Sequence, residues 1–168
     1  VVADLLTVAG AHRVISFDFH ADQIEGFFRI PVDHLSGIQV LLDDLKSNLT
    51  VDDVIVAPDA GGVERCRNLA NTLGMRLAIM DHRREKTAPR STIVGDVKGR
   101  RAVIIDDLLD TGRTLHRTVE SAKMAGAASV EAYCVHALFS HEAVDLLADS
   151  ALRSLVVTDT VPTVDRAV

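Results

Sequence analysis

Short apolar runs alternate along this chain with longer stretches in which apolar residues return every three or four positions. The runs at 14–19, 54–57, 77–80, 102–105, 130–135 and 155–158 read as strands. Helical patterns lie between most of them, at 37–48, 63–73, 114–125 and 140–148, and another at 2–9 precedes the first strand. Strands alternating with helices of about ten residues predict crossover units: an α/β fold whose mostly parallel sheet is flanked by helices. Hydrophobicity in the central runs is near-continuous rather than alternating, as strands buried on both faces require. The one long polar stretch is 81–92. Within it, Arg83, Arg84, Lys86 and Arg90 face only two carboxylates, with no large apolar anchor, so it reads as a mobile, solvated hairpin.

Composition narrows the classes. With 168 residues, 48% of them hydrophobic, the chain can bury one sizeable core. A net charge of −6 argues against a general nucleic-acid or anionic-membrane binder. No apolar stretch approaches the roughly 20 residues needed to span a bilayer. The start, Val1-Val2-Ala3-Asp4, has neither a Met nor a basic region and does not read as a signal peptide. It reads as a cut into a longer chain. Cys66 and Cys134 are isolated, so they read as buried reduced thiols of a cytoplasmic protein.

Chemistry gathers where strands end, the rim on which ligands of such sheets collect. After Ile105 come Asp106 and Asp107, then Leu108-Leu109-Asp110-Thr111-Gly112-Arg113-Thr114, with a helix expected from about Thr114. A short loop of small and hydroxylated residues opening a helix points backbone N–H groups and Thr hydroxyls at one spot, where the helix dipole favours a phosphate. Asp106 and Asp107 can accept hydrogen bonds from a vicinal diol or hold a cation through water. Phosphate donors beside diol acceptors describe a ribose 5-phosphate pocket. The bland alternative is an acidic strand end before an ordinary capped helix. His20 follows another strand end with carboxylates nearby, and can ligand Mg²⁺ or touch a nucleotide phosphate, or be a plain surface residue. In Pro58-Asp59-Ala60-Gly61-Gly62 the glycines permit close backbone approach. There Asp59 is either a ligand to a cation or sugar hydroxyl, or merely the helix cap.

The order Asp-Asp-x-x-Asp-Thr-Gly-x-Thr resembles the phosphoribosyl-diphosphate loop of type I phosphoribosyltransferases and of ribose-phosphate pyrophosphokinases. Asp-x-His-Ala-x-Gln-Ile-x-Gly-Phe-Phe from Asp18, Pro58-Asp59-x-Gly-Gly, the basic loop, Gly95-Asp96-Val97-Lys98-Gly99, Val135-His136 and Val156-Val157-Thr158-Asp159-Thr160 resemble the pyrophosphokinases in order and spacing. The resemblance implies a phosphoribosyltransferase-like fold and Mg²⁺-dependent transfer of diphosphate from ATP to ribose 5-phosphate. It implies that Asp106, Asp107, Asp110, Thr111, Gly112, Arg113 and Thr114 hold ribose 5-phosphate, and that His20 and Asp59 bind magnesium. Arg84, on the basic loop, would contact the sugar phosphate or the transferring group. His82 stands at the catalytic position where the family carries Lys, and Arg113 stands where the pyrophosphokinases carry Gly. By the same resemblance, 1–35 is the remnant of an amino-terminal half-domain and 36–168 is the domain bearing the sugar-phosphate loop.

Three functions are consistent with these residues: a ribose-phosphate diphosphokinase, a phosphoribosyltransferase using the same pocket, or a non-catalytic regulatory subunit. The first is the expectation. It brings ATP as co-substrate, a cytoplasmic homo-oligomer with a subunit contact at Phe27-Phe28, and no nucleic-acid or membrane partner.

Overall fold

The computed structural model describes residues 1–84 and 89–162, with side chains for all of these but 82–91. In chain order, α1 (Val2–Val8) leads to β1 (Val14–Phe17), a 3₁₀ helix over Asp22–Phe27 and β2 (Val32–Leu35). There follow α2 (Ile38–Asn48), β3 (Val54–Ala57), α3 (Val63–Leu73), β4 (Arg76–Arg84), β5 (Pro89–Val94) and β6 (Arg101–Leu109). The described residues end with α4 (Arg113–Met124), β7 (Ser129–Ala137), α5 (Ala143–Ala148) and β8 (Leu152–Val157).

Among the described residues the main sheet runs β5-β4-β3-β6-β7-β8, parallel throughout except for the edge pair β4–β5. The central strands show why their sequence does not alternate. Val54, Val56, Ala102 and Ile104 pack into one apolar cluster with Leu115, Val119 and Ala122 of α4. The intervening Ile55, Ala57, Val103 and Ile105 pack on the other face with Leu41, Leu42 and Leu45 of α2 and Cys66, Leu69 and Ala70 of α3. Those helical positions recur at three- and four-residue spacing, so each helix lays one apolar stripe on the sheet. Cys66 and Cys134 are free, buried thiols, and burial pushes Cys66 up to about 12.

Three expectations are corrected. The 14–19 run is not a strand of the main sheet: β1 pairs in parallel with β2, Val14 opposite Val32, as a separate two-stranded sheet. The partner strand, Val32-Asp33-His34-Leu35, carries too little apolar signal to read as a strand in sequence. Second, β6 does not stop at Ile105, because backbone pairing with β7 continues to Leu109 and so includes Asp106 and Asp107. Third, α5 starts three residues later than the pattern from Ser140 suggests. The polar stretch forms the β4–β5 ribbon, with His82 opposite Ser91 and Arg84 opposite Pro89. Its tip, 85–88, lies outside the described residues.

Candidate functional site

The carboxyl ends of β3 and β6 and the segment after β1 converge on one rim. Arg65, on the first turns of α3, donates from Nη1 to Asp107 Oδ1 at 2.9 Å. His20 Nδ1 sits 3.0 Å from Asp107 Oδ2, so each oxygen of this buried carboxylate faces one nitrogen-bearing group. Asp106 Oδ1 turns back to accept the Asp107 amide at 2.9 Å. Burial works to raise the Asp107 carboxyl, but the Arg65 charge and the hydrogen bonds from His20 and Arg65 outweigh it and leave Asp107 below the ordinary carboxylate range. Asp106 has no such cation. Burial, the Asp107 charge beside it and the nearby Asp59 push it up to about 7. Adjacent carboxylates in different surroundings have thus been driven apart, a pattern that gathers at functional sites.

The Asp110–Thr114 segment turns from β6 into α4 through Gly112, whose φ of +72° suits a residue without Cβ. A Cβ there would also meet Leu147 Cγ at 3.4 Å and Ala143 at 3.5 Å. Thr111 is half-buried, Asp110, Arg113 and Thr114 are exposed, and Gly112 is buried. Asp110 is tied to the chain before α5: its carbonyl accepts the Ser140 amide at 3.0 Å and its carboxylate accepts the Ser140 hydroxyl. The turn therefore presents the free amides at the start of a 12-residue helix beside the two carboxylates of β6.

Residues 38–159 match the phosphoribosyl transferase domain, which is most of the chain. The chain belongs to the phosphoribosyl transferase domain family. A ribose-phosphate pyrophosphokinase of Ralstonia nicotianae is 48% identical over 169 residues, covering 99% of this chain and 54% of that protein. One from Nitrosomonas europaea is 48% identical over 164 residues, covering 96% of this chain and 52% of that protein. The crystal structure of phosphoribosylpyrophosphate synthetase from Mycobacterium smegmatis superposes with a TM-score of 0.92 at 37% identity, over 99% of this chain and 55% of that one. The chain thus spans about half the length of the relatives it matches.

His20, which precedes the matched residues, is joined directly to Asp107, and Asp59 lies close enough to Asp106 to act on its charge. His20 is 73% exposed at its side chain, so it faces solvent from above the buried carboxylate. Asp59 Oδ1 accepts the Gly62 amide at 2.9 Å, which closes the turn into α3 without capping it, since the N-cap is Gly62 and has no side-chain cap bond. His82 and Arg84 lie on the backbone of β4, with side chains outside the described ones.

One residue, Arg65, escaped the reading from sequence, and His136 entered it only as part of a motif with no role attached. Arg65 looked like one of several charged positions on a helix, and its role as the cation of Asp107 appears only once α3 lies against β6. His136 spans two elements: Nε2 donates to the Phe17 carbonyl at 2.9 Å, and Nδ1 is 2.8 Å from Thr160 Oγ1. Asp18 makes a second tie, accepting the Gly37 amide at 2.8 Å where α2 begins. Gly37 has no room for a side chain, since a Cβ would stand 2.4 Å from Val135 Cγ1. The Thr158–Thr160 turn is structural: Thr158 Oγ1 donates to the Val135 carbonyl at 2.6 Å.

Proposed function

We propose that this chain is the sugar-phosphate-binding part of a ribose-phosphate diphosphokinase, which transfers the diphosphoryl group of ATP to ribose 5-phosphate and yields phosphoribosyl diphosphate and AMP. The observation that carries the reading is the end of β6: two adjacent carboxylates in unlike surroundings, one of them joined to a solvent-facing His, followed directly by the loop that opens α4. In this reading the amides and hydroxyls of Asp110–Thr114 hold the 5-phosphate, and Arg113 adds charge at its edge. Asp106 and Asp107 receive the ribose hydroxyls.

Magnesium fits as an ion brought by the nucleotide rather than one caged by protein. Among the described residues no three His, Cys, Asp or Glu side chains are grouped to hold a metal. Mg²⁺ commonly binds one or two carboxylates and completes its shell with water and substrate phosphates. Asp59 would supply such a carboxylate, and His20 would contact the ion's water or phosphate ligands. When bound, the ion neutralises phosphate charge. The chain's own work is positioning: phosphoryl-type transfer depends on in-line placement and cationic stabilisation. In this reading Arg84 contacts the transferring group and His82 stands at the catalytic position. ATP-binding residues beyond this chain, a homo-oligomeric assembly and a cytoplasmic location belong to the same proposal. So does the assignment of 1–35 to an amino-terminal half and 36–168 to the sugar-phosphate domain.

Calorimetry with ribose 5-phosphate tests the loop. Thr111→Val/Thr114→Val should weaken binding roughly tenfold or more, the loss expected when charge-assisted hydrogen bonds to phosphate go. Unchanged affinity in that double variant would refute the assignment. Activity is read as AMP release by the intact protein. His82→Lys should raise turnover without tightening the sugar phosphate, because a charge acting on the transition state leaves ground-state binding alone.

A further inference from the structure

His20 owes its place to a turn that strand pairing alone does not make. The parallel β1–β2 ladder runs as far as the Asp18 amide, which donates to the Leu35 carbonyl at 2.9 Å. Asp18 then takes a φ of +36°, and the chain leaves the ladder. Phe19 comes next, half-buried, and a buried amide left without an acceptor is costly. A side chain provides that acceptor: the Phe19 amide donates to His34 Nε2 at 2.9 Å.

This contact fixes the hydrogen on the His34 ring. A backbone amide only donates, so Nε2 accepts and Nδ1 carries the hydrogen. Nδ1 in turn sits 2.6 Å from Glu25 Oε1, which receives it. The ring also packs on Phe19, with centroids 4.9 Å apart and planes tilted by 50°. Glu25 belongs to the 3₁₀ helix and His34 to β2, so two segments close on the residue just before His20. The His20 ring is fastened separately, by Asp107, whose other oxygen is held by Arg65. An ionised carboxylate only accepts, so His20 Nδ1 donates and Nε2 is left for a ligand. Both histidines line one hollow of about 690 Å³, with Gly61 and Arg65 at the start of α3.

We propose that His34 is a positioning residue for His20: by accepting the Phe19 amide it sets the turn that brings the His20 ring onto Asp107 and leaves its other nitrogen for the water shell of the nucleotide's magnesium. What His20 meets rests on the diphosphokinase reading; how His20 is held rests on these contacts alone. Groups that meet a metal or its ligands depend on the contacts behind them, and losing one commonly costs about ten- to a hundredfold in affinity or activity.

NMR of the intact protein with nitrogen-labelled histidine and phenylalanine tests the arrangement directly. In the unsubstituted protein His34 should carry its hydrogen on Nδ1, with a coupling across the hydrogen bond between the Phe19 amide nitrogen and His34 Nε2. His20 should also show the Nδ1–H form. His34→Phe keeps a ring against Phe19 and removes the acceptor, whereas His34→Gln restores an acceptor of similar reach. In the Phe variant His20 should give the mixture of tautomers of an unheld imidazole. The KM for MgATP, read from AMP release, should rise roughly tenfold or more while that for ribose 5-phosphate stays unchanged. The Gln variant should recover both. The proposal is overturned by a hydrogen on His34 Nε2 in the unsubstituted protein, by a His20 signal unchanged in the folded Phe variant, or by a Gln variant as impaired as Phe. Should His34→Phe not fold, His34→Leu removes the same acceptor with a smaller side chain, and the coupling in the unsubstituted protein is read regardless. If no form releases AMP, the diphosphokinase reading fails while the His20 tautomer still decides whether His34 positions it.

Discussion

Asp106 and Asp107 are neighbours in sequence with opposite electrostatic fates, and both fates are measurable. An unfolded Asp titrates near about 3.9, whereas Asp106 in the fold is pushed up to about 7. Between those values the folded protein holds a proton that the unfolded chain has released, so this group's contribution to stability falls as pH rises through that window and is flat above it. Asp106→Asn should therefore match wild type near pH 3.5 and exceed it by about 2–4 kcal/mol at pH 8 in urea unfolding. A difference independent of pH would contradict the burial of Asp106. Arg65→Met attacks the other carboxylate. It strips the buried Asp107 of its guanidinium and should cost about 3 kcal/mol at pH 7, less in acid where Asp107 can take a proton. The sequence showed the two carboxylates and their loop because those residues are contiguous. It could not show Arg65, which reaches Asp107 across 42 positions of chain.

At the scale of elements, periodicity carried the reading as far as burial made it strong. The strands β3 and β6 and the helices α2, α3 and α4 are doubly or broadly buried, and their patterns located them within a residue or so at most ends. Where burial is partial the pattern thins. β1 reads as a strand but not as a member of a different sheet, because Val14-Ile15-Ser16-Phe17 alternates weakly and Ile15 is 66% exposed. The end of β6 was placed too early because Asp106 and Asp107 look like a loop until strand pairing with β7 satisfies their backbones. One turn between elements is set by a close approach instead of by pattern. Gly95 leaves β5 with φ +130°, and a Cβ there would stand 2.7 Å from Ala78 Cβ and 2.9 Å from Ala78 Cα. Gly95→Ala should lower stability by about 2–3 kcal/mol through strain and overpacking at the β4–β5 ribbon, seen as a shifted urea midpoint with unchanged slope.

For the molecule as a whole, the Phe27-Phe28 pair splits its duties. Phe28 stacks on Phe19 with ring centroids 6.3 Å apart, while Phe27 is 69% exposed. If Phe27 forms the expected subunit contact, Phe27→Ser should shift light-scattering mass toward the monomer while Phe28→Ser chiefly lowers stability. A clean monomer in the unsubstituted protein at high concentration would refute the contact. The β1–β2 pair has a different consequence. Among the described residues it contributes none to either apolar cluster; His136 of β7 ties it to the main sheet and Asp18 ties it to the start of α2. A unit held in this way opens on its own, at a free energy below that of global unfolding. Native-state hydrogen exchange should find the amides of 14–17 and 32–35 exchanging ahead of those in β3 and β6. Because His20 rides on that unit, each such opening dismantles the rim while the core stays folded. The working temperature of the site is then set by its weakest hinge, below the melting point of the protein that carries it.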